Sequence, residues 1–134
     1  MTHIIHSMKL LGIDYGRSKA GLAISGGSLA APLSVIRSTS QRELAYKILK
    51  VIKEENITGI VIGISENESE KDSREFAKEL SKITDLEIYF EDETLSTQDA
   101  NLYAIEAGIG RKKRKEKEDA YAATIILQRY LDNN

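Results

Sequence analysis

The 134-residue sequence contains no cysteine, which excludes a disulfide framework, a thiolate nucleophile and a thiolate zinc site. Its two histidines, His3 and His6, lie at the very start, where chains tend to fray. Neither is assigned a role, and a Ser-His-Asp hydrolase is a poor fit. No apolar run is longer than a handful of residues, as in Ile60-Val61-Ile62, so no segment is expected to span a bilayer. Met1 to His6 lack a basic segment followed by an apolar stretch of secretory length, and the expected compartment is the cytoplasm. A strong net charge is missing too: −2 overall argues against wholesale attraction to nucleic acid. What is there, 41% hydrophobic and 30% charged residues, is ordinary globular composition, enough for one domain with a real core. The expected division is a flexible N-terminal segment, 1–8, and a single domain, 9–134. Any chemistry must run on carboxylates, hydroxyls, lysine or arginine.

The charge is unevenly distributed. Arg111 to Lys117 reads RKKRKEK, six basic residues against one acid, while acids crowd Glu54 to Glu93. Lys9–Asp14 (KLLGID) reads as a buried strand ending in a turn at Gly16. Gly21–Ser25 (GLAIS) is a second strand, joined to the first as a hairpin, and Pro32–Ile36 (PLSVI) a third, with proline at its first position. From Ser40 the period changes. Leu44, Ile48, Val51 and Ile52 mark an amphipathic helix ending near Glu55-Asn56. Ile57–Ile64 is apolar on both faces, as a central strand of a covered sheet must be. Phe76, Leu80 and Ile83 mark a second helix, and Leu86–Phe90 a further strand. Ser96 with Asp99 opens a helix to about Ala107. Residues 108–117 read as a basic loop, and a last helix begins near Glu118. The predicted fold is α/β: a mixed five-stranded sheet, three antiparallel strands then two parallel, with helices on both faces.

Two sets of acids fall where such a sheet binds ligands, at the carboxyl ends of strands, and a third candidate lies on the last helix. Asp14 ends one strand, and Glu91-Asp92-Glu93 follow another. Asp119 lies on the apolar stripe of the last helix, beside the small residues Ala120, Ala122 and Ala123, which allow close approach to the strands. Converging carboxylates repel in a low dielectric, and a divalent cation resolves the repulsion. Oxygen donors suit Mg²⁺ or Mn²⁺, and two such ions about 3.5–4 Å apart promote phosphodiester cleavage. The adjacent basic run offers Arg111, Lys112, Lys113, Arg114 and Lys115 to a nucleic-acid backbone.

The chain resembles a known family at four places in order. GIDYGRSKAGLAIS (12–25) is similar to the opening motif of the YqgF/RuvX-type nucleases, relatives of Holliday-junction resolvases on the RNase H-like fold. DETLST (92–97) is similar to that family's DER-LST motif, GIGRKKRKEK (108–117) to its basic loop, and EDAYAATIILQRYLD (118–132) to its DA-AA-ILQ-YL helix. The resemblance runs from Lys9 to Asp132. It implies an RNase H-like fold, catalytic and metal-holding acids at Asp14, Glu93 and Asp119, phosphate contacts from Lys19 as well as the basic run, and nuclease action at the 5′ end of pre-16S rRNA. It also implies, as an alternative, resolution of branched DNA. The chain departs from the pattern at Lys19 and Thr94, each arginine in the family, at Gly26, where the family has aspartate, and over residues 64–72, which lack the usual proline and glycine.

Simpler readings stand beside these. Asp14 caps the turn at Tyr15-Gly16. The acidic triplet is a solvated edge, and strand alternation puts Asp92 on the face of Ile88. Asp119 is a helix N-terminal acid favoured by the macrodipole. The basic run is a solvated turn. Gly12, Gly16 and Gly21 cradle a phosphate, although no P-loop or GxGxxG is present. Tyr15, Tyr103 and Tyr121 pack in the core or stack on bases. A catalytically weak nucleic-acid-binding module, favoured by Gly26 and Thr94, and a nucleotide-dependent phosphotransferase complete the alternatives.

Overall fold

The computed structural model describes residues 8–64, 69–92 and 111–134, the side chains of 69 and 111–117 excepted. Within them lie strands β1 (Leu10–Asp14), β2 (Lys19–Gly26), β3 (Leu29–Arg37), β4 (Gly59–Ile64) and β5 (Ile88–Asp92). Three helices are described: α1 (Gln41–Glu54), α2 (Ser69–Ser81) and α3 (Arg111–Asp132). The strands form one sheet in the order β3-β2-β1-β4-β5. β1 pairs antiparallel with β2 and β2 with β3, whereas β4 pairs parallel with both β1 and β5. This is the mixed five-stranded sheet that the sequence predicts. The helix expected over Ser96 to Ala107 lies outside the described residues.

Alternation along the strands separates two apolar layers. Leu11, Ile13, Leu22, Ile60 and Ile62 face α1 and α2, meeting Leu44, Ile48, Phe76 and Leu80. Tyr15 stacks on Phe76 at this layer's edge, with ring centroids 4.9 Å apart. Leu10, Ala23 and Val61 face the other way, against Ala123, Ile126, Leu127 and Leu131 of α3, and Met8 packs beside them. Helices therefore cover both faces.

Local chemistry sets the boundaries. The Ser40 hydroxyl accepts from the Glu43 backbone N–H at 3.1 Å and caps α1. At the other end Asn56 takes a left-handed φ of 55°, which turns the chain into β4. The outer edge of β3 is blocked twice. The Ala30 N–H donates to Gln128 Oε1 at 2.9 Å, and two residues on, Pro32 has no N–H to offer. A register shift lies opposite, between Leu22 and Ala23.

One boundary differs substantially from the sequence reading. The last helix begins at Arg111 rather than near Glu118, so 111–117 is helix and not loop. The apolar stripe starts only at Ala120, and periodicity therefore underestimates the helix. Lysine, arginine and glutamate are strong helix formers, and their propensity carries the helix two turns further. Asp119 is consequently well inside α3, and no acid occupies the first turn. The macrodipole does not explain it, because that effect fades within one turn of the terminus.

Candidate active site

The site is built on a close approach between α3 and the sheet. A Cβ placed on Gly12 would lie 2.8 Å from Leu127 Cβ and 3.1 Å from the Ala123 carbonyl oxygen. A Cβ on Gly21 would collide with the Asp119 carbonyl and come within 2.7 Å of the Ala120 nitrogen. Both glycines are needed because α3 fills the space a side chain would take, with its backbone at Gly21 and with the Leu127 Cβ and the Ala123 carbonyl at Gly12. That contact also removes the phosphate-cradle reading of Gly12 and Gly21, whose open sides are occupied by α3.

The same contacts fix the direction of α3. Gly21 is the register partner of Asp14, so Asp119 sits level with the end of β1. Four residues later Ala123 sits over Gly12. Four helical residues rise about 6 Å and two strand residues about 6.6 Å, so α3 runs antiparallel to β1. Backwards from Asp119, the segment 111–118 extends about 12 Å past the carboxyl end of β1. Arg111, Lys112, Lys113, Arg114 and Lys115 are therefore carried on helix backbone beyond the edge where Asp14 lies.

Asp14 and Asp119 come from positions far apart in sequence and are brought level with one another on the α3 face of the sheet, each beside Gly21. Both are partly buried. Lys19, two residues before Gly21 and on the same face of β2, places its Nζ 3.0 Å from Asp119 Oδ2. The sequence offers Lys19 as a phosphate contact; in the structure it is the ion-pair partner of an acid. Glu93 lies outside the described residues. Among those described, no three His, Cys, Asp or Glu side chains cluster closely enough to hold a metal.

The rest of the acidic triplet divides as alternation requires. Ile88 and Phe90 pack towards α1 and α2, and Asp92, next in that series, is exposed. Glu91 falls on the α3 face, pairing with Gly63 two strands from β1, roughly 10 Å away. Burial pushes its carboxyl above the usual range, and the nearby Arg129 guanidinium pulls it partly back. Arg129 also donates to the Asp92 carbonyl at 3.2 Å, clasping β5 to α3. Neither this Arg129 anchor nor the Gly21 contact is evident from sequence; the one available signal was the pairing of strand glycines with helix alanines. Arg17, in the turn after β1, pairs with Asp72 of α2 at 2.9 Å. The Gly26 departure is remote, because Gly26 ends β2 at the opposite edge of the sheet, paired with Leu29. Thr94 lies outside the described residues.

A cleft of about 300 Å³ between α1 and α2, lined by Arg42, Tyr46, Lys82 and Ile83, is on the other face of the sheet and contains none of these acids.

The carboxylate pair fits a hard cation. Its donors are oxygens, and a positive charge already rests against one of them in the form of the Lys19 ammonium. Among the described residues no helix is long and apolar enough to cross a membrane.

Comparison with known proteins agrees with this architecture. The chain is 37% identical to a protein of Rickettsia canadensis (strain McKiel) named "Putative pre-16S rRNA nuclease", over 97% of this chain and 90% of that one. A protein of the same name from Rickettsia bellii (strain OSU 85-389) is 36% identical over the same shares. Among solved structures, Thermus thermophilus RuvC bound to a Holliday junction substrate superposes with a TM-score of 0.64 at 14% identity, covering 94% of this chain and 96% of that one. The fowlpox virus resolvase in complex with Holliday junction DNA gives 0.61 at 10% identity, covering 94% and 98%. These structures share the fold, the RNase H-like sheet and its helices. A family described as "RuvX: Holliday junction resolvase" matches residues 8–133, and the chain belongs to that family.

Proposed function

We propose that this protein is a divalent-metal-dependent nuclease that hydrolyses phosphodiester bonds, acting on the 5′ end of pre-16S rRNA in the cytoplasm. The observation that carries the reading is the placement of Asp14 and Asp119 at the same level, at the carboxyl end of β1, below a helix extension rich in basic residues. The names of the curated relatives support the rRNA substrate.

In this reading Asp14, Asp119 and Glu93 would hold Mg²⁺ or Mn²⁺ through oxygen, two ions in all. When bound, these ions supply activation of a water and stabilisation of the leaving oxygen. The protein's own contribution is placement. Asp119 is held by its backbone against Gly21, which keeps it level with Asp14. The basic start of α3 adds cations at the positive end of a helix dipole, an arrangement that costs stability alone and is relieved by a polyanion. Phosphates bound there lie on the strand-end side of the sheet, the side of Asp14. Such contacts are sequence-independent, so selectivity for a substrate comes from shape.

The test is cleavage of a pre-16S 5′ fragment with Mg²⁺ or Mn²⁺, in wild type and Asp14→Asn. The variant is expected to fold normally and to lose cleavage by at least about a thousandfold. Full cleavage in the presence of a chelator overturns the reading. The family description favours a second substrate, the four-way DNA junction, served by the same acids. Equal protein on both substrates separates the two, the faster cleavage naming the substrate.

A further inference from the structure

We propose that the Lys19 ammonium is the resident counter-ion of Asp119, which a divalent cation displaces on entering, and that the displaced lysine then serves substrate phosphate. The inference rests on the proposed nuclease site and concerns how that site is loaded.

Three observations carry it. Lys19 Nζ lies 3.0 Å from Asp119 Oδ2, within direct ion-pair range. The two partners are unequally held. Asp119 sits on helix backbone pressed against Gly21, whereas Lys19 is the first residue of β2 with a flexible side chain. When the pair separates, the lysine is the one that moves. Exposure points the same way, at 41% for the lysine side chain and 29% for the aspartate. A half-exposed pair of this kind is weak enough to be broken by a doubly charged competitor.

The consequence is a coupling between metal and nucleic acid. Without metal, Lys19 neutralises Asp119 and offsets the repulsion between Asp119 and Asp14. With metal, like charges cannot share the carboxylate, and Lys19 turns outward at the edge where 111–118 projects. Metal loading thus adds one cation to the surface that a phosphate backbone would meet. Linkage requires the reverse as well: a bound polyanion that takes up Lys19 raises the site's affinity for metal. This accounts for a lysine doing two jobs that exclude each other in any one state.

Mn²⁺ titration by calorimetry, with wild type, Asp14→Asn, Lys19→Gln and Lys19→Arg, tests this on the full chain. Lys19→Gln is expected to bind Mn²⁺ about fivefold more tightly than wild type, the scale of a half-exposed charge. Lys19→Arg keeps the charge and is expected to bind as wild type does. Unchanged or weaker Mn²⁺ binding by Lys19→Gln overturns the inference. A second readout needs no variant at this position. The rate at which an amine-reactive label modifies Lys19, read by mass spectrometry, is expected to rise when Mn²⁺ is added to wild type and to stay level in Asp14→Asn. A labelling rate in wild type that does not respond to saturating Mn²⁺ also overturns it. Failure of the nuclease reading itself looks different: wild type and Asp14→Asn then bind Mn²⁺ equally, whatever Lys19 does.

Discussion

The two faces of the sheet are built to different rules. Towards α1 and α2 the contacts are large side chains, with Phe76, Leu44, Ile48 and Leu80 fully buried against Leu11, Ile13, Ile60 and Ile62. Towards α3 the contact zone near the site is stripped to Gly12, Gly21, Ala120 and Ala123. The thick layer removes much apolar surface from water and tolerates small shifts of a helix. The thin layer buries less there but sets α3 by backbone contact, and backbone cannot repack. Stability is concentrated on one side and placement of an acid on the other.

Four substitutions sharpen or break that contrast. Phe76→Ala, in the thick layer, is expected to cost about 3–5 kcal/mol in urea unfolding. Well below its melting point it should still bind Mn²⁺ as wild type does; a large loss of binding would show that the two faces are not separable. Gly21→Ala, in the thin layer, is expected to cost about 1–3 kcal/mol by overpacking. Its loss of Mn²⁺ affinity and cleavage should be out of proportion to that cost, because Asp119 is pushed from Asp14. Gly12→Ala meets a side-chain atom and a less crowded carbonyl, and should be milder in both respects. Gln128→Ala leaves the Ala30 N–H without its acceptor, at about 1 kcal/mol. It also opens the β3 edge, so self-association should increase on size-exclusion chromatography.

The smallest effect belongs to Glu43, at the start of α1. Its hydrogen bond with Lys47, helped by one from Thr39, holds its carboxyl below the usual value. The lowered value means the ionised form favours the folded state. Its contribution is present above the unfolded carboxyl range and is lost as pH falls through the lowered folded one. Glu43→Gln should therefore lower the melting temperature slightly at pH 7, with the difference from wild type closing in acid. A difference that does not change with pH would assign the effect to the cap rather than the charge.

Much of the architecture was legible in the residues. Unbroken β-branched runs mark β4, the 3.6-residue period marks α1, and Ser40 followed by Glu43 marks where α1 starts. The acids at strand ends were legible for the same reason, since a charge that closes an apolar run must sit at the sheet's edge. The start of α3 was not, because a basic stretch has no apolar period to read, only propensity. The pairing of Lys19 with Asp119 was not legible either. A lysine's reach covers many partners, and which one it meets depends on the register of β2 against β1 and on the level at which α3 crosses them.

By itself the sequence determined the five strands and the apolar parts of the three described helices, which of their faces are apolar, and which acids end β1 and β5. These follow from periodicity and propensity, which act over a few neighbouring residues. Only the tertiary structure decided that Asp119 lies level with Asp14 and that Lys19 pairs with Asp119. Those facts hang on a helix seated against two glycines, and packing between segments nearly a hundred residues apart leaves no local trace.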